Sequence, residues 1–488
     1  MVVATSVLCC LELRGLLGAN KTFSSGSAAY NASLASYFSL QESDISPACI
    51  VAPTTTTEVS AVVRYLTSEN NTCSGRDFAI RSGGHGVFAG AANIADGVTI
   101  DLSGLDSISV SQDGSTVTVG VGATWGAVYA ALEPLNLIVP GGRDAPVGVG
   151  GLSVGGGMSY FSPRVGWTCD NIVDYEVVLD GGSVVHATAS ANADLLVALR
   201  GGSNNFGVVT HVQLTTVSQN HTIWGGRSYY TVDTIDAQLQ ATAAFTEADS
   251  YDEYASLIVS FAWTPSTGAM IANNMEYTKS GQVAVPAAFA GFSDIPSLSD
   301  SRGVTTVSEL ATEGGALSPN GYRELWIETT YYSTLSMLNV TWQQWNSSLA
   351  DSGIEQVSGL VWSLSLQPLP PAIYARHNMA NSLGLTADRT DTSASLMIAL
   401  LSVTWENEED DAVVSKVAHE MIAGIEQAAQ QAGAYHPFKY LNYANADQDP
   451  IASYGPASVA QLRQVARRVD PRGVFQDRVP GGFKLKDV

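Results

Sequence analysis

The chain has 488 residues, more than one hydrophobic core usually serves, so we expect two domains. Charged residues are 14% of the chain and hydrophobic residues 45%, which excludes extensive disorder. With 46 acidic and 23 basic residues the net charge is −23, which makes nucleic acid and anionic membranes unfavourable partners. No apolar run is long enough to cross a membrane, and the oligomeric state stays open.

The N-terminal region leaves the cellular compartment open. Residues 2–11 are apolar, but no basic residue precedes them and no cleavage site is clear, so secreted and cytoplasmic locations are equally compatible with the sequence. Six N-x-S/T sequons favour the secretory route slightly and predict a glycoprotein; they begin at Asn20, Asn31, Asn70, Asn220, Asn339 and Asn346.

Five cysteines without a CxxC pair argue against a zinc site or a redox dithiol and favour one or two disulfides beside a spare thiol. We expect Cys9 or Cys10 to pair with Cys49, and Cys73 to pair with Cys169. No metal-ligand spacing occurs elsewhere, so we expect no metal site.

The first part of the chain alternates short elements. Val59, Val62, Val63 and Leu66 follow helical spacing and predict a helix that ends near residue 66. Strands are predicted at 78–80, 98–102, 107–110 and 116–120, a helix at 124–135, and a hairpin of strands 175–179 and 183–187 around an Asp-Gly-Gly turn.

The second part is built differently. It has long predicted strands at 254–263, 269–277, 356–367 and 396–405, and predicted helices at 236–249, 333–349 and 409–432. Few long strands with separate helices indicate an α+β fold, with an antiparallel sheet backed by helices. A last amphipathic helix follows, with Val459, Leu462, Val465 and Val469 on its apolar face.

Glycine clusters at 83–90, 141–157 and 201–207 predict loops whose backbone approaches a ligand closely. Neither a P-loop nor a complete GxGxxG turn is present, because Ser153 stands where the second pattern needs glycine. The same stretch spells GxSxG, but a glycine loop precedes it instead of a buried strand, which disfavours a hydrolase with Ser153 as nucleophile. His85 lies inside the first cluster, after a buried strand, where side chains commonly meet ligands.

The stretch from Arg81 to His85 resembles the R-S-G-G-H signature of vanillyl-alcohol-oxidase-type flavoproteins, in the berberine-bridge-enzyme-like branch. Other motifs match this family in order, in partly fungal spelling: residues 140–157, 166–171, 200–210, 440–444 and 470–475. The resemblance implies a PCMH-type FAD-binding domain in which His85 bonds to the 8α-methyl of FAD. The implied cofactor residues are Arg81, Ser82, Gly83, Gly84, His85, Gly86, Asp144, Val147, Gly148, Gly150, Gly151, Gly156, Asn205, Phe206, Gly207, Val209 and Asn442.

Two positions in the second loop refine this expectation. Many family members hold the flavin by a second bond from a cysteine, and here that position is Asp144, so we expect a single covalent link through His85. Val147 corresponds to the family's oxygen gatekeeper, and a small branched residue there suits an oxidase that uses dioxygen.

Removing a hydride from an alcohol also releases a proton, which requires a nearby base. The resemblance suggests Tyr440 as this base, with Asn442 and Tyr443 in contact with the flavin; structural roles remain the alternative. Gln367, on a strand that we expect Pro368 to end, is a further catalytic candidate. Its alternative is a capping residue.

The sequence therefore predicts an N-terminal segment at 1–44, an FAD-binding domain at 45–215, a substrate domain at 216–437 and a returning segment at 438–488. We expect an FAD-dependent oxidase that takes hydride from an alcohol or phenolic small molecule, a secondary metabolite, and forms hydrogen peroxide from dioxygen. A carbohydrate oxidase, a non-redox cyclase or isomerase, and a flavin-holding protein without turnover are the alternatives.

Overall fold

The computed structural model describes residues 2–350, 352–375, 380–386 and 388–488, with side chains described from residue 7 onward. The α+β class expected from the sequence is confirmed, with two hydrophobic cores around separate sheets. The helices of the described chain are α1 (Val2–Leu17), α2 (Ala28–Ala35), α3 (Leu40–Ser43), α4 (Thr56–Leu66), α5 (Trp125–Leu132), α6 (Val149–Val154), α7 (Ser162–Val165), α8 (Ala193–Leu199), α9 (Ile235–Phe245), α10 (Val307–Ala316), α11 (Leu335–Ser348), α12 (Pro371–Tyr374), α13 (Asp411–Gln431), α14 (Pro450–Ser453), α15 (Pro456–Val469) and α16 (Val474–Asp477).

The first core surrounds three sheets. A four-stranded sheet has the order β1-β2-β4-β3, with β1 (Thr22–Ser24), β2 (Cys49–Val51), β3 (Phe78–Arg81) and β4 (Val98–Asp101). A five-stranded sheet has the order β5-β6-β10-β8-β9, with β5 (Ile108–Val110), β6 (Thr116–Gly120), β8 (Ile172–Val178), β9 (Val184–Thr188) and β10 (Val208–Thr215). A short antiparallel pair joins β7 (Leu137–Ile138) to β11 (Val217–Ser218). The predicted hairpin is present as β8 and β9.

The second core lies under one antiparallel sheet. Its strands are β12 (Ile223–Thr231), β13 (Ala255–Thr264), β14 (Gly268–Tyr277), β15 (Ser299–Asp300), β16 (Gly303–Thr305), β17 (Arg323–Tyr332), β18 (Val361–Leu369), β19 (Leu396–Trp405) and β20 (Tyr435–His436). The order is β15-β12-β14-β13-β18-β19-β17-β20, and β16 also pairs with β12. Helices α9, α11 and α13 cover one face, because their apolar stripes share the core with alternate residues of the strands.

The expectation that Pro368 ends its strand was wrong, since β18 continues to Leu369 and Pro368 lies opposite Met397 of β19. The pairing of β18 with β13 stops earlier, at Leu366. A proline therefore costs no ladder bond on that side of the strand.

Residues from both ends of the chain join the first core. Cys9, Cys10 and Leu13 of α1 lie there, as do Leu462 of α15 and Phe475 of α16. Among the described helices, none combines the length and apolarity needed to cross a bilayer.

Two disulfides fasten α1 to this core. Cys10 pairs with Cys49, as one of the expected alternatives had it, and Cys9 pairs with Cys73. The expected pair of Cys73 with Cys169 was wrong. Cys169 is a buried free thiol that lies beside Asp170 in the interior of the first core.

Candidate active site

A cavity of about 310 Å³ lies where the glycine-rich loops of the first core meet the sheet of the second. Its walls come from the loop after β3, the segment entering α6, the loop before β10 and the turn at residues 440–444, with Trp326 of β17 on the sheet side. Predicted site residues in the lining are Ser82, Gly83, Gly84, His85, Gly86, Asp144, Val147, Gly148, Gly150, Gly151, Gly207, Val209, Tyr440, Asn442 and Tyr443. Arg81, Gly156, Asn205, Phe206 and Gln367 lie outside it.

Arg81 anchors the first loop from behind. Its guanidinium is buried, lies 3.5 Å from the carboxylate of Asp101 and stacks 3.9 Å over the ring of Tyr37. At the next residue, the Ser82 hydroxyl donates to the Val121 carbonyl at 2.5 Å and accepts from the Gly150 amide at 3.1 Å. These bonds hold the first and second glycine loops against each other.

His85 projects into the cavity from the end of the first loop. Its ring stacks on Phe38, with centroids 4.0 Å apart and planes 19° from parallel, and it meets the edge of Trp326 at 6.2 Å. Burial lowers the pKa of His85 to about 4. The imidazole is therefore neutral at neutral pH, and it keeps a nitrogen lone pair for bond formation.

Several glycines of the second loop lie so close to neighbouring residues that a side chain would not fit. A Cβ at Gly155 would lie 1.9 Å from Oδ1 of Asn442, and one at Gly150 would lie 2.7 Å from Oγ of Ser82. Gly156 has a φ of +114°, which side-chain-bearing residues rarely adopt. Ser153 is buried inside α6 and does not reach the cavity, so it is not placed as a nucleophile.

Tyr440 has an enclosed hydroxyl. Its oxygen accepts hydrogen bonds from the Met158 amide at 2.9 Å and from Nδ2 of Asn442 at 3.0 Å. Burial raises the pKa of Tyr440 well above its ordinary value, despite these two donors. Asn442 also donates to the Leu152 carbonyl, which ties the closing motif to α6.

Tyr443 belongs to a hydrogen-bonded trio with Arg143 and Gln367. The Tyr443 hydroxyl donates to Oε1 of Gln367 at 3.0 Å, and Nη2 of Arg143 donates to the same oxygen at 2.7 Å and to the Tyr443 hydroxyl. Burial by itself would lower the pKa of Arg143, but the surrounding tyrosine hydroxyls and Asp144 outweigh it and raise the pKa. A guanidinium so placed stabilises negative charge on the Tyr443 oxygen.

The third glycine loop, residues 201–207, and the last residues of the chain form another part of the cavity wall. Nδ2 of Asn205 donates to the carbonyls of Gly202 and Phe483, both at 2.9 Å, while Phe206 packs in the first core. A Cβ at position 207, in place of the glycine, would lie 2.7 Å from Cγ1 of Val177.

Sequence reasoning missed several lining residues: Arg143, Trp326, Ser203, Asn204, Gly482 and Phe483. One signal was available for Arg143, which is the single basic residue of the 141–157 glycine cluster.

Comparison with known proteins identifies the group to which this site belongs. The FAD binding domain family matches residues 47–188. The FAD-dependent monooxygenase sdcF of Emericella nidulans is 36% identical, over 99% of this chain and 99% of that protein. The chain belongs to the family of FAD-dependent oxidoreductases that carry this FAD binding domain. It shares its fold with the BBE-like 1 protein of Physcomitrella patens, whose structure superposes with a TM-score of 0.72 at 18% identity, covering 95% of this chain and 97% of that one.

Two further proteins are similar to this chain. Oligopeptidase PhomG' of Diaporthe leptostromiformis is 39% identical over 97% of this chain, but the match spans only 37% of that longer protein. The structure of 6-hydroxy-D-nicotine oxidase from Arthrobacter nicotinovorans superposes with a TM-score of 0.74 at 21% identity, covering 94% of this chain and 96% of that one. The expected PCMH-type fold is thereby confirmed.

The residues of the cavity fit FAD, the cofactor of this oxidoreductase family. Backbone atoms of three glycine loops form its walls, and a Cβ at Gly151 would meet no heavy atom within 4 Å, so this glycine borders open space. His85 offers a neutral imidazole within the same cavity. Asp144 also lines it, and a carboxylate has no sulfur with which to form the second bond known in the family.

Proposed function

We propose that this oxidoreductase is an oxidase of an alcohol or phenolic small molecule, a fungal secondary metabolite. One observation carries the proposal: the neutral imidazole of His85 faces the same cavity as Arg143 and Tyr443, which Gln367 holds from behind by hydrogen bonds. When bound, FAD accepts a hydride from the substrate C–H and passes the two electrons to dioxygen, which yields hydrogen peroxide. The substrate hydroxyl thereby becomes a carbonyl, and its proton passes to a protein base.

His85 is proposed to hold the flavin by a single covalent link to its 8α-methyl group. The neutral state of its ring supports this role, because a protonated imidazole has no free lone pair. Phe38 and Trp326 fix the orientation of the ring, so the reacting nitrogen is held in place. We expect no second link, because Asp144 stands where a cysteine would form it.

Tyr443 is the favoured proton acceptor of the two tyrosines. Charge on its oxygen is stabilised by the hydrogen bond from Arg143, and Gln367 fixes the direction of its hydroxyl. Among the described residues, the donors to the Tyr440 oxygen are the Met158 amide and Asn442, which are both neutral, and burial opposes the ionisation of Tyr440. We therefore assign Tyr440 to positioning Asn442 and α6, a change from the sequence-based choice.

Val147 is proposed to admit dioxygen. It lines the cavity between Asp144 and Gly148, and it is only partly buried. Its short branched side chain leaves room that a larger residue would fill.

Oxygen insertion is the second candidate function, because a relative 36% identical over 99% of this chain is named an FAD-dependent monooxygenase.

One experiment separates the candidate functions. The purified holoenzyme should be mixed anaerobically with a panel of alcohols, phenols and sugars while the flavin absorption is followed. Bleaching by an alcohol or phenol, and equal amounts of carbonyl product and hydrogen peroxide after air is admitted, are the expected results. Incorporation of ¹⁸O from ¹⁸O₂ into the product would instead indicate a monooxygenase, and substrate conversion without flavin reduction a cyclase or isomerase.

A secretory location is proposed for this enzyme. Disulfides such as Cys9–Cys73 and Cys10–Cys49 form and persist in oxidising compartments and are rare in the cytosol. Glycosylation at sequons on the folded chain, detected by a mobility shift after treatment with an N-glycosidase, would support this location. A protein recovered unglycosylated from the cytosol, with free thiols, would contradict it.

A further inference from the structure

The guanidinium of Arg143 is only partly used by the protein. Its Nη2 donates to the Tyr443 hydroxyl and to Oε1 of Gln367, and neither group is a carboxylate. Within the described residues, Nε and Nη1 form no hydrogen bond, and no carboxylate lies within ion-pair distance of the side chain. Since Arg143 lines the cavity, these unused N–H groups face the space that a substrate would occupy.

Burial favours the neutral form of two carboxyl groups that interact with Arg143. The nearby carboxyl groups are those of Asp144 and Glu276, and burial raises the pKa of both, that of Glu276 to about 8. At neutral pH the Glu276 carboxyl is therefore mostly protonated. A second guanidinium, that of Arg227, also acts on Glu276, and its Nη1 is buried without a hydrogen bond to any described residue, although its Nε lies 3.9 Å from Oε1 of Glu313.

Arg143 is thus a partly buried cation without a carboxylate partner among the described residues. A buried charge without a partner is costly, and an anionic ligand would remove that cost. Arginine also presents its N–H groups as a planar fork that matches the two oxygens of a carboxylate.

We propose that Arg143 binds an anionic oxygen of the substrate, a carboxylate or an equally acidic enol, and thereby holds the substrate beside Tyr443. This inference rests on the proposed function, because it assigns the substrate class of the same cavity. One guanidinium would contact both the anion and the Tyr443 oxygen through different nitrogens, so these two oxygens lie within roughly 8 Å, which is two hydrogen-bond lengths plus the separation of the nitrogens. The substrate is accordingly a hydroxy acid whose acidic group lies a few bonds from the oxidised carbon.

The test measures binding to the oxidised holoenzyme without turnover, so it is independent of whether any alcohol is oxidised. Benzoate and its neutral isostere benzamide are titrated separately, and each dissociation constant is read from the perturbed flavin absorption. The variants are Arg143→Gln, Arg143→Lys and, as a matched control, Arg468→Gln, whose side chain pairs with Asp194 at the surface.

We expect the wild type and Arg468→Gln to bind benzoate at least tenfold more tightly than benzamide. Arg143→Gln should lose that preference while its benzamide affinity stays unchanged, and Arg143→Lys should keep part of it. Equal affinities of the wild type for the two probes would overturn the proposal, and this comparison decides the matter even if a variant fails to fold. A shifted flavin reduction potential in Arg143→Gln with unchanged benzoate affinity would also overturn it, because Arg143 would then serve the flavin and not the substrate.

Discussion

Gly83 and Gly148, from different glycine loops, touch backbone to backbone. A Cβ placed on Gly83 would lie 2.6 Å from Cα of Gly148, and a Cβ on Gly148 would lie 2.6 Å from Cα of Gly83. Backbone atoms have no rotamer with which to move away, so neither position tolerates a side chain without separation of the loops. Both glycines line the cavity, so a separation of the loops would change its shape.

Gly83→Ala should therefore disrupt FAD incorporation. Overpacking of this kind costs about 1–3 kcal/mol, and the loops would part where the cofactor lies. The flavin-to-protein ratio after purification and the thermal midpoint provide the measurement. Gly303→Ala is the matched control, because a Cβ there would meet no heavy atom within 4 Å; equal flavin content in the two variants would contradict the contact.

Tyr443→Phe should lower kcat more than Tyr440→Phe does. Loss of a base typically costs about 10²- to 10⁴-fold, whereas loss of the Tyr440 hydroxyl leaves the buried Met158 amide unpaired and costs about 1–3 kcal/mol of stability. Rapid-reaction measurement of flavin reduction, with thermal unfolding beside it, separates the two effects. A slower reduction in Tyr440→Phe than in Tyr443→Phe would return the base to Tyr440.

Local patterns predicted much of the fold. Strand β19 occupies the predicted residues, because its apolar sequence lies at the centre of a sheet that is buried on its helix side. Helix α9 ends at Phe245, several residues before the predicted end, where Thr246 caps it. The edge strands β15 and β16 were not predicted, because they are too short to show the alternation of apolar and polar residues that marks a strand.

Some residues of the candidate site could likewise be predicted from the sequence, and others could not. His85 and Tyr443 were found because each lies in a motif that the family resemblance recognises. Arg143, Trp326 and Phe38 were missed, because their roles depend on contacts between segments far apart in the chain, which no local periodicity encodes.

The two disulfides should contribute substantially to stability. They close loops with sequence separations of 64 and 39 residues, for which the chain-entropy estimate is about 4 kcal/mol each. The double variant Cys10→Ser/Cys49→Ser should unfold at lower guanidinium concentration than Cys169→Ala, in which a single buried sulfur is lost. A non-reducing peptide map that joins Cys73 to Cys169 would refute the assigned pairing.

Glu42 should make stability depend on pH. It lies under the first loop, where its Oε1 accepts from the Ala92 amide at 2.7 Å, and burial raises its pKa to about 7 from the usual 4.5. The folded state then binds the proton more tightly, so the Glu42 contribution is full below pH 4.5 and is lost as pH rises through 7.

Relative to the wild type, Glu42→Gln should therefore gain about 3 kcal/mol between pH 4.5 and pH 8, as denaturant unfolding at each pH would measure. Glu409→Gln, at an exposed position, serves as the control. A Glu42→Gln difference that stays constant over this range would show that Glu42 ionises normally.

His85 is proposed to carry the flavin covalently in the cavity between the two cores. The direct measurement is mass spectrometry of the proteolytic peptide that contains His85, from protein precipitated with acid and washed free of unbound cofactor. This peptide should carry the flavin mass on His85, with no flavin on any other peptide, and His85→Ala should release all yellow colour into the supernatant. An unmodified His85 peptide from yellow wild-type protein, or colour that still precipitates with His85→Ala, would contradict it.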